Sequence, residues 1–296
     1  MPQIPSVDVL VVSFHTRELL RGCLASVLRF RPAPEDVELR ISVLDNDSSD
    51  GSAEMVATEF PFVRLVESAE NLGFGRGNNE LAATSSADYL LLLNSDTIWA
   101  EDIVTPLLEV LRTWPDAGVV APRLVGADGV LQLSSQDLPS PKLELAHVLR
   151  GTKLSRLFPG WDPEGELARL HQEHLADSRE ARETDFLWAT CWLLPRSLVA
   201  THGLFRPEFH MYDEDLDFCR RLRASGVKLV YCPQVELIHL GSGSSIPAAK
   251  ARMMRRARGL YYRLNHSRVT AATVTYGVGG LRRLKAVKRR VAASRR

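Results

Sequence analysis

The sequence predicts an α/β domain with a mostly parallel central sheet flanked by helices. Three features predict it: Val- and Leu-rich runs of strand length, amphipathic helical segments alternating with them, and clusters of Asp, Asn, Ser and Gly where the runs end. With 296 residues, 45% hydrophobic and 25% charged, the chain has an ordinary globular composition and room for a large core.

Residues 7–14 (VDVLVVSF) are nearly continuously apolar, the pattern of a strand buried on both faces. Residues 17–29 follow with Leu19, Leu20, Leu24, Val27 and Leu28 at helical spacing. A second strand at 37–44 ends in Asp45-Asn46-Asp47-Ser48-Ser49-Asp50-Gly51-Ser52. Residues 53–59 read as a short helix and 62–67 as a third strand. The glycine-rich stretch 71–79 turns into another helix, and a fourth strand at 88–93 (DYLLLL) ends at Asn94-Ser95-Asp96. Strands are expected again at 119–124, 185–194 (DFLWATCWLL) and 228–232, with a helix at 216–225. Between them, 126–184 reads as a variable insertion with a charged helical stretch at 164–182. Each polar cluster alone is an ordinary turn. Several at the carboxyl edge of one parallel sheet mark the place where such folds bind ligands.

Two groups of residues carry chemistry. Asp96, just past a buried strand, can hold a divalent cation against a diphosphate, but one carboxylate is too few. His239, after another strand and before a Gly-Ser loop, supplies an imidazole; with phosphate oxygens the pair would complete a Mn²⁺- or Mg²⁺-type sphere. The second group is Asp213-Glu214-Asp215-Leu216-Asp217, whose like charges raise the pKa of at least one member and suit a general base. Acids also favour a helix N-terminus, so Asp213 is expected to cap the helix while Asp215 faces the cleft.

Charge is unevenly spread. Residues 249–296 hold 15 Lys and Arg and no Asp or Glu, whereas the first 248 residues hold 22 basic and 36 acidic side chains. A basic C-terminal helical tail therefore meets an anionic surface. In residues 281–296, Leu281, Leu284 and Val287 form an apolar stripe on a very basic helix, the pattern of an interfacial segment on anionic lipid. The acidic body and few tail aromatics argue against nucleic acid. No apolar run reaches the ~18–20 residues of a membrane-spanning helix, and Asp8 in the first apolar run argues against a cleaved signal peptide. Cys23, Cys191, Cys219 and Cys232 are isolated, which fits a reducing cytosol rather than a disulfide framework.

These motifs, in this order, resemble family 2 glycosyltransferases, inverting enzymes of the nucleotide-diphospho-sugar transferase (GT-A) fold, and most of all their rhamnosyltransferase branch. Val11-Val12-Ser13-Phe14 with Cys23 and Ser26 resembles the family's opening strand and helix. Leu44-Asp45-Asn46-Asp47-Ser48-Ser49-Asp50-Gly51-Ser52 is similar to V-D-N-x-S-x-D-G-S, and Asn71-Leu72-Gly73-Phe74-Gly75-Arg76-Gly77-Asn78 to N-x-G-F-x-x-G-N. Asn94-Ser95-Asp96 resembles the variant metal motif N-x-D, Glu214-Asp215-Leu216-Asp217-Phe218-Cys219-Arg220-Arg221 resembles E-D-x-D-L-C-x-R, and His239-Leu240-Gly241-Ser242 resembles the closing histidine-glycine-serine motif.

The resemblance implies a GT-A domain over residues 1–265, with a nucleotide-sugar half at 1–125, the insertion at 126–184 and an acceptor half at 185–265, followed by the basic tail at 266–296. It implies that Ser13, Phe14, Asp45 and Asn46 meet the base. Gly73, Gly75 and Gly77 would let backbone approach the nucleotide, with Asn78, Asn94 and Ser95 beside it. Asp96 and His239 would hold Mn²⁺ or Mg²⁺, Asp215 with Glu214 would supply the base, and Trp188 and Asp213 would meet the acceptor. The favoured donor is dTDP-rhamnose, with a UDP-hexose or UDP-galactofuranose as the alternative. The acceptor is a glycan or lipid-linked sugar in cell-wall or polysaccharide synthesis, placing the protein in the cytoplasm at the inner face of the plasma membrane; oligomeric state is left open. A sugar nucleotidyltransferase would need a lysine-bearing glycine loop after the first strand, where this chain has Ser13-Phe14-His15-Thr16-Arg17. The chain departs from the pattern at His15, where the family has Asn, at Arg206-Pro207, where it has an acidic pair, and at Thr190-Cys191, where it has Gly-Ala.

Overall fold

A computed structural model gives the fold and describes residues 4–144, 180–241, 247–278 and 280. The nucleotide-side half runs β1 (Ser6–Ser13), α1 (Arg17–Phe30), β2 (Glu38–Asp45), α2 (Ser52–Glu59), β3 (Arg64–Glu67), α3 (Gly73–Thr84), β4 (Tyr89–Asn94), β5 (Thr97–Ile98), α4 (Val104–Thr113) and β6 (Ala117–Val125). Then come β7 (Leu131–Gln132), β8 (Ser135–Gln136), β9 (Arg182–Thr184), β10 (Phe186–Leu187) and β11 (Cys191–Pro195). The chain continues through α5 (Arg196–His202), α6 (Glu214–Ala224), β12 (Lys228–His239), α7 (Pro247–Asn265), α8 (Arg268–Ala272) and a π-helical stretch, Thr273–Val278.

The main sheet has the order β3-β2-β1-β4-β11-β6-β12-β5. Pairs β2–β3, β1–β2, β1–β4 and β6–β12 are parallel, while β11 runs antiparallel to both β4 and β6. The apolar runs explain this burial. On β1, Val7, Val9 and Val11 point into one core with α1, α2 and α4, and Leu10 points into the other with α3, α6 and α7. Period-two side-chain alternation thus feeds both faces from one continuous apolar strand. Each such fully buried Val or Leu contributes about 1.5–3 kcal/mol. All four cysteines are free and buried.

Four expectations need correction. The run 185–194 is not one strand: Trp188-Ala189-Thr190 breaks it between β10 and β11. There the Trp188 N–H donates to the Ser134 carbonyl (3.1 Å), and the Thr190 carbonyl accepts from Asn94 N–H (2.9 Å). These residues are apolar or small because they line a cleft, and hydropathy cannot separate that from strand burial. The predicted helical stretch 164–182 lies mostly outside the described residues, but its last residue, Arg182, sits in β9 against Tyr231 of β12. The glycine-rich stretch is not a loop leading to a helix, since α3 begins at Gly73 itself. Finally, the basic tail is partly domain: Tyr261 and Tyr262 of α7 are fully buried, and Ala271 and Val274 extend the same core past residue 265. Residues 242–246 and 281–296, which include Ser242 and the expected interfacial segment, lie outside the described residues.

Candidate active site

The strand order reverses between β1 and β4, the crevice where open α/β sheets place their ligands. A cleft of about 320 Å³ opens at their carboxyl ends, within the range of small-molecule sites. Hydroxyls brace its floor: Ser13 Oγ lies 2.8 Å from Thr16 Oγ1, which lies 3.0 Å from Ser95 Oγ.

One wall is set by strand register. The two-residue strand β5 pairs with the end of β12, His239 opposite Thr97, and the Leu240 N–H donates to the Asp96 carbonyl at 2.9 Å. Residues 143 positions apart in sequence therefore meet, with His239 Nε2 lying 3.5 Å from Asp96 Oδ2. Gln132 of β7 holds the other side of His239: its amide N–H donates to the His239 carbonyl at 2.9 Å, and its Oε1 lies 2.7 Å from Nδ1.

The facing wall is the start of α6. Tyr212 and Asp213 both hold left-handed backbone, φ 71° and 61°, which costs about 1–3 kcal/mol per residue. Two contacts over-determine the strained turn. The His210 carbonyl presses on Gly73, whose φ of +79° and missing Cβ allow the approach, and accepts from Phe74 N–H at 3.2 Å. On the other side Arg258 of α7 grips Asp213 with two bonds, Nε to Oδ2 at 2.8 Å and Nη2 to Oδ1 at 3.1 Å. Its third nitrogen, Nη1, reaches Glu144 at 2.6 Å. Asp213 occupies the N-cap position but makes no side-chain cap bond, because Arg258 has taken its carboxylate.

Asp215 faces the cleft, one oxygen accepting from its neighbour Leu216 N–H at 2.8 Å and the other from Ala189 N–H at 3.5 Å. Burial, then the Asp213 charge, pushes its carboxyl up to about 7, against the pull of those N–H bonds and Arg258. Burial and Asp215 also push Glu214 well above the ordinary range, and its Oε2 finds no partner among the described residues. The two titrate as a pair. Asp217 is different: fully buried, it takes Arg206 (3.1 Å), Arg221 (3.0 Å) and the Asn265 amide (2.8 Å). The unusual Arg206 is thus one of two partly exposed cations paired with the buried Asp217. His15 likewise stands at φ 52°, a left-handed position that His and Asn adopt more readily than most side chains.

Of the residues singled out by sequence, the cleft brings together Phe14, Asn46, Asn94, Ser95, Asp96, Trp188, Asp213, Glu214, Asp215 and His239. Others lie behind its wall. Gly75 and Gly77 are packing glycines, where a Cβ would come within 3.1 Å of Phe205 Cβ and 3.0 Å of Val12. They let α3 sit against β1 and the 203–214 loop, which corrects the expectation that they open backbone toward a ligand. Asn46 spans from β2 to α3, accepting from Leu72 N–H (2.7 Å) and donating to the Gly73 carbonyl (3.2 Å). Ser13, Asp45 and Asn78 are buried; Asp45 Oδ1, Asn78 Oδ1 and the Trp188 indole nitrogen lack partners among the described residues. Sequence reasoning missed Thr16, Gln132, Lys250, Met254 and Arg258, and it took Asn71 and Phe74 only as part of the glycine-rich motif. Only the spacing of Lys250, Met254 and Arg258, four apart on one helix face, could have flagged any of them.

Comparison with known proteins agrees with this architecture. The profile described as Glycosyl transferase family 2 matches residues 8–202. The N-acetylglucosaminyl-diphospho-decaprenol L-rhamnosyltransferase of Mycobacterium tuberculosis is 29% identical over 244 residues, 79% of this chain and 75% of that one. The low-salt glycan biosynthesis hexosyltransferase Agl10 of Haloferax volcanii is 23% identical over 241 residues, 80% of this chain and 67% of its own. Among solved structures, the mannosyltransferase PcManGT from Pyrobaculum calidifontis, in complex with GDP-Man and Mn²⁺, superposes with a TM-score of 0.61 at 15% identity, covering 99% of this chain and 76% of that one. GalNAc-T7 with UDP, GalNAc and Mn²⁺ gives 0.60 at 13% identity over 89% of this chain, which spans about half (48%) of that longer protein. At those identities the two structures bear on the fold, which is GT-A.

Proposed function

Since the chain belongs to glycosyl transferase family 2 and is a glycosyltransferase, we propose that it transfers a sugar, favoured as rhamnose from dTDP-rhamnose, to a glycan or lipid-linked acceptor with inversion at the anomeric carbon. The observation that carries the reading is the single cleft in which Asp215 stands across from the Asp96–His239 pair. The rhamnosyltransferase name of the mycobacterial relative supports the donor and a polyprenyl-linked acceptor.

The residues divide the chemistry. Asn46 and Phe14 lie in the cleft where the nucleotide base would sit, and Asp45, buried behind them with no partner for its Oδ1 among the described residues, would accept the base N–H once that wall opens to it. Asp96 and His239 fit a divalent cation: a carboxylate oxygen and an imidazole nitrogen converge at 3.5 Å on the cleft wall, a donor set that suits Mn²⁺ or Mg²⁺ with phosphate oxygens. When bound, the cation supplies charge against the departing nucleoside diphosphate. Asp215 takes the proton of the acceptor hydroxyl as its oxygen attacks the anomeric carbon, and the bond to the diphosphate breaks on the opposite face. Trp188 and Asp213 flank that acceptor side.

A lipid-linked acceptor also accounts for the basic C-terminal segment, which would hold the protein at the inner face of the plasma membrane; no helix among the described residues is long and apolar enough to cross one. The test is a donor screen with Mn²⁺ or Mg²⁺, scored by nucleoside diphosphate release. Release from dTDP-rhamnose supports the reading. Release from UDP-sugars alone overturns the rhamnosyl assignment, and no dependence on added metal after chelation overturns the cation.

A further inference from the structure

Gln132 lies in the segment that sequence reads as a variable insertion, yet the fold delivers it against His239 of the cleft wall. A turn through Gly126 and Gly129 (φ +75°) is closed by Gly126 N–H to the Val130 carbonyl at 2.8 Å and Gly129 N–H to the Gly126 carbonyl at 2.9 Å. It sends β7 back along β6, pairing Gln132 with Leu124 and Leu131 with Val125. The same two β6 residues pair with Leu237 and Ile238 of β12, so β6 lies between the hairpin and β12, and the Gln132 side chain reaches His239 over the end of β6 at Gly126.

The contact is two-pronged, and that makes it informative. A carbonyl only accepts, so the amide nitrogen of Gln132 must face the His239 carbonyl, which it does at 2.9 Å. The amide oxygen is thereby the atom that faces Nδ1 at 2.7 Å. An amide oxygen cannot donate, so Nδ1 must carry the hydrogen. In the neutral ring Nε2 is then left with its lone pair. Its 3.5 Å separation from Asp96 Oδ2 is well beyond the ~2.7–2.9 Å of a charge-assisted hydrogen bond, as two acceptors facing a shared ligand would be.

We propose that Gln132 is a positioning residue for the cation site: it locks His239 in the Nδ1–H tautomer, so that the Nε2 lone pair faces Asp96. The inference rests on the cation reading above, but its first measurement does not. Ligating histidines generally use their second ring nitrogen this way, and removing the partner typically costs about 10–100-fold in metal affinity. Here a neutral side chain does it, leaving the charge of the site to Asp96 and the phosphates.

The experiment uses the full chain labelled with ¹⁵N-histidine, with the His239 signals assigned by their loss in His239→Asn. Wild type is expected to show Nδ1–H and an unprotonated Nε2. Gln132→Leu is expected to shift the ring toward Nε2–H and to weaken Mn²⁺ binding, measured with dTDP present, by about 10–100-fold. Gln132→Glu keeps an acceptor for Nδ1–H while losing the bond to the His239 carbonyl; it should stay within a few-fold of wild type. A purely structural tie predicts instead that Glu fails like Leu, and that outcome overturns the proposal. So does a wild-type ring protonated on Nε2, or an unchanged tautomer in Gln132→Leu. Wild type that carries Nδ1–H yet binds no Mn²⁺ with dTDP overturns the cation reading itself, and the role assigned to Gln132 with it.

Discussion

As the proposed base, Asp215 would be subject to two opposed demands. A base must be ionised when the acceptor arrives, yet burial and Asp213 push this carboxyl up to about 7. Rate should therefore rise with pH through that value, and kcat/KM falling from pH 6 to 8 would exclude Asp215 as the base. Stability runs the other way. The folded state holds the Asp215 proton more tightly than the unfolded chain, whose carboxyl titrates near its ordinary value of 3.8. This group's favourable contribution is then complete below about 4 and is lost as pH rises through about 7. Asp215→Asn should consequently cut turnover by about 10²–10⁴-fold while raising the melting temperature at pH 8, with the gain vanishing at pH 4. Turnover within a few-fold of wild type would shift the role to Glu214. On the opposite wall, Asp96→Ala should weaken metal-dependent dTDP binding in calorimetry and leave metal-free dTDP binding little changed; equal affinities with and without metal in wild type would remove the premise.

Between the strained turn and its supports, α3, α6 and α7 act as one unit. Arg258 ties Asp213 to Glu144 in a pocket where Asp213 and Glu144 are nearly out of solvent. Arg258→Met leaves two carboxylates there without their cation, and the loss in unfolding free energy should fall toward the lower end of about 3–5 kcal/mol, because the guanidinium keeps some solvent contact. A loss under about 1 kcal/mol in urea titration would show that the pair does not hold the turn. This unit also marks how far the sequence could be read. Strands β1 and β4 were legible because burial on both faces writes a near-continuous apolar run, and β2 because Val37, Leu39, Ile41 and Val43 alternate with polar residues. The clusters at their ends were legible because a parallel sheet puts them on one edge. The Asp96–His239 meeting was legible only through the motifs, since the two-residue strand β5 that sets its register is too short to show periodicity. Arg258 was hidden by its company: among the basic residues of α7 nothing local separates the one that turns inward from those that face water. Gly75 and Gly77 were misread because close packing of helix on strand and close approach to a ligand ask the same thing of a sequence.

At the scale of the whole molecule, the charge separation acquires a geometry. Of the 15 basic residues after position 248, seven fall in α7 and α8 and eight in residues 281–296. Arg258 is consumed by carboxylates, whereas Arg252, Arg255, Arg256, Arg263 and Arg268 are exposed, in the same helices and π-helical stretch as the exposed Met254, Val269 and Tyr276. An anionic leaflet attracts such residues by about 1 kcal/mol each near its surface. If the C-terminal face docks there, the same field would repel the acidic body and turn the rest of the molecule away from the membrane. A lipid-linked acceptor makes that orientation useful, because α7 also lines the cleft through Lys250, Met254 and Arg258. Deleting residues 281–296 should strongly reduce sedimentation with anionic vesicles, leave a residue of binding carried by α7 and α8, and spare transfer to a soluble acceptor analogue while slowing transfer to a lipid-linked one. High salt should remove the remainder, since screening shortens to about 3 Å at 1 M. Sedimentation unchanged by the deletion, or equal on neutral vesicles, would mean that the basic segment does not bring the enzyme to its acceptor.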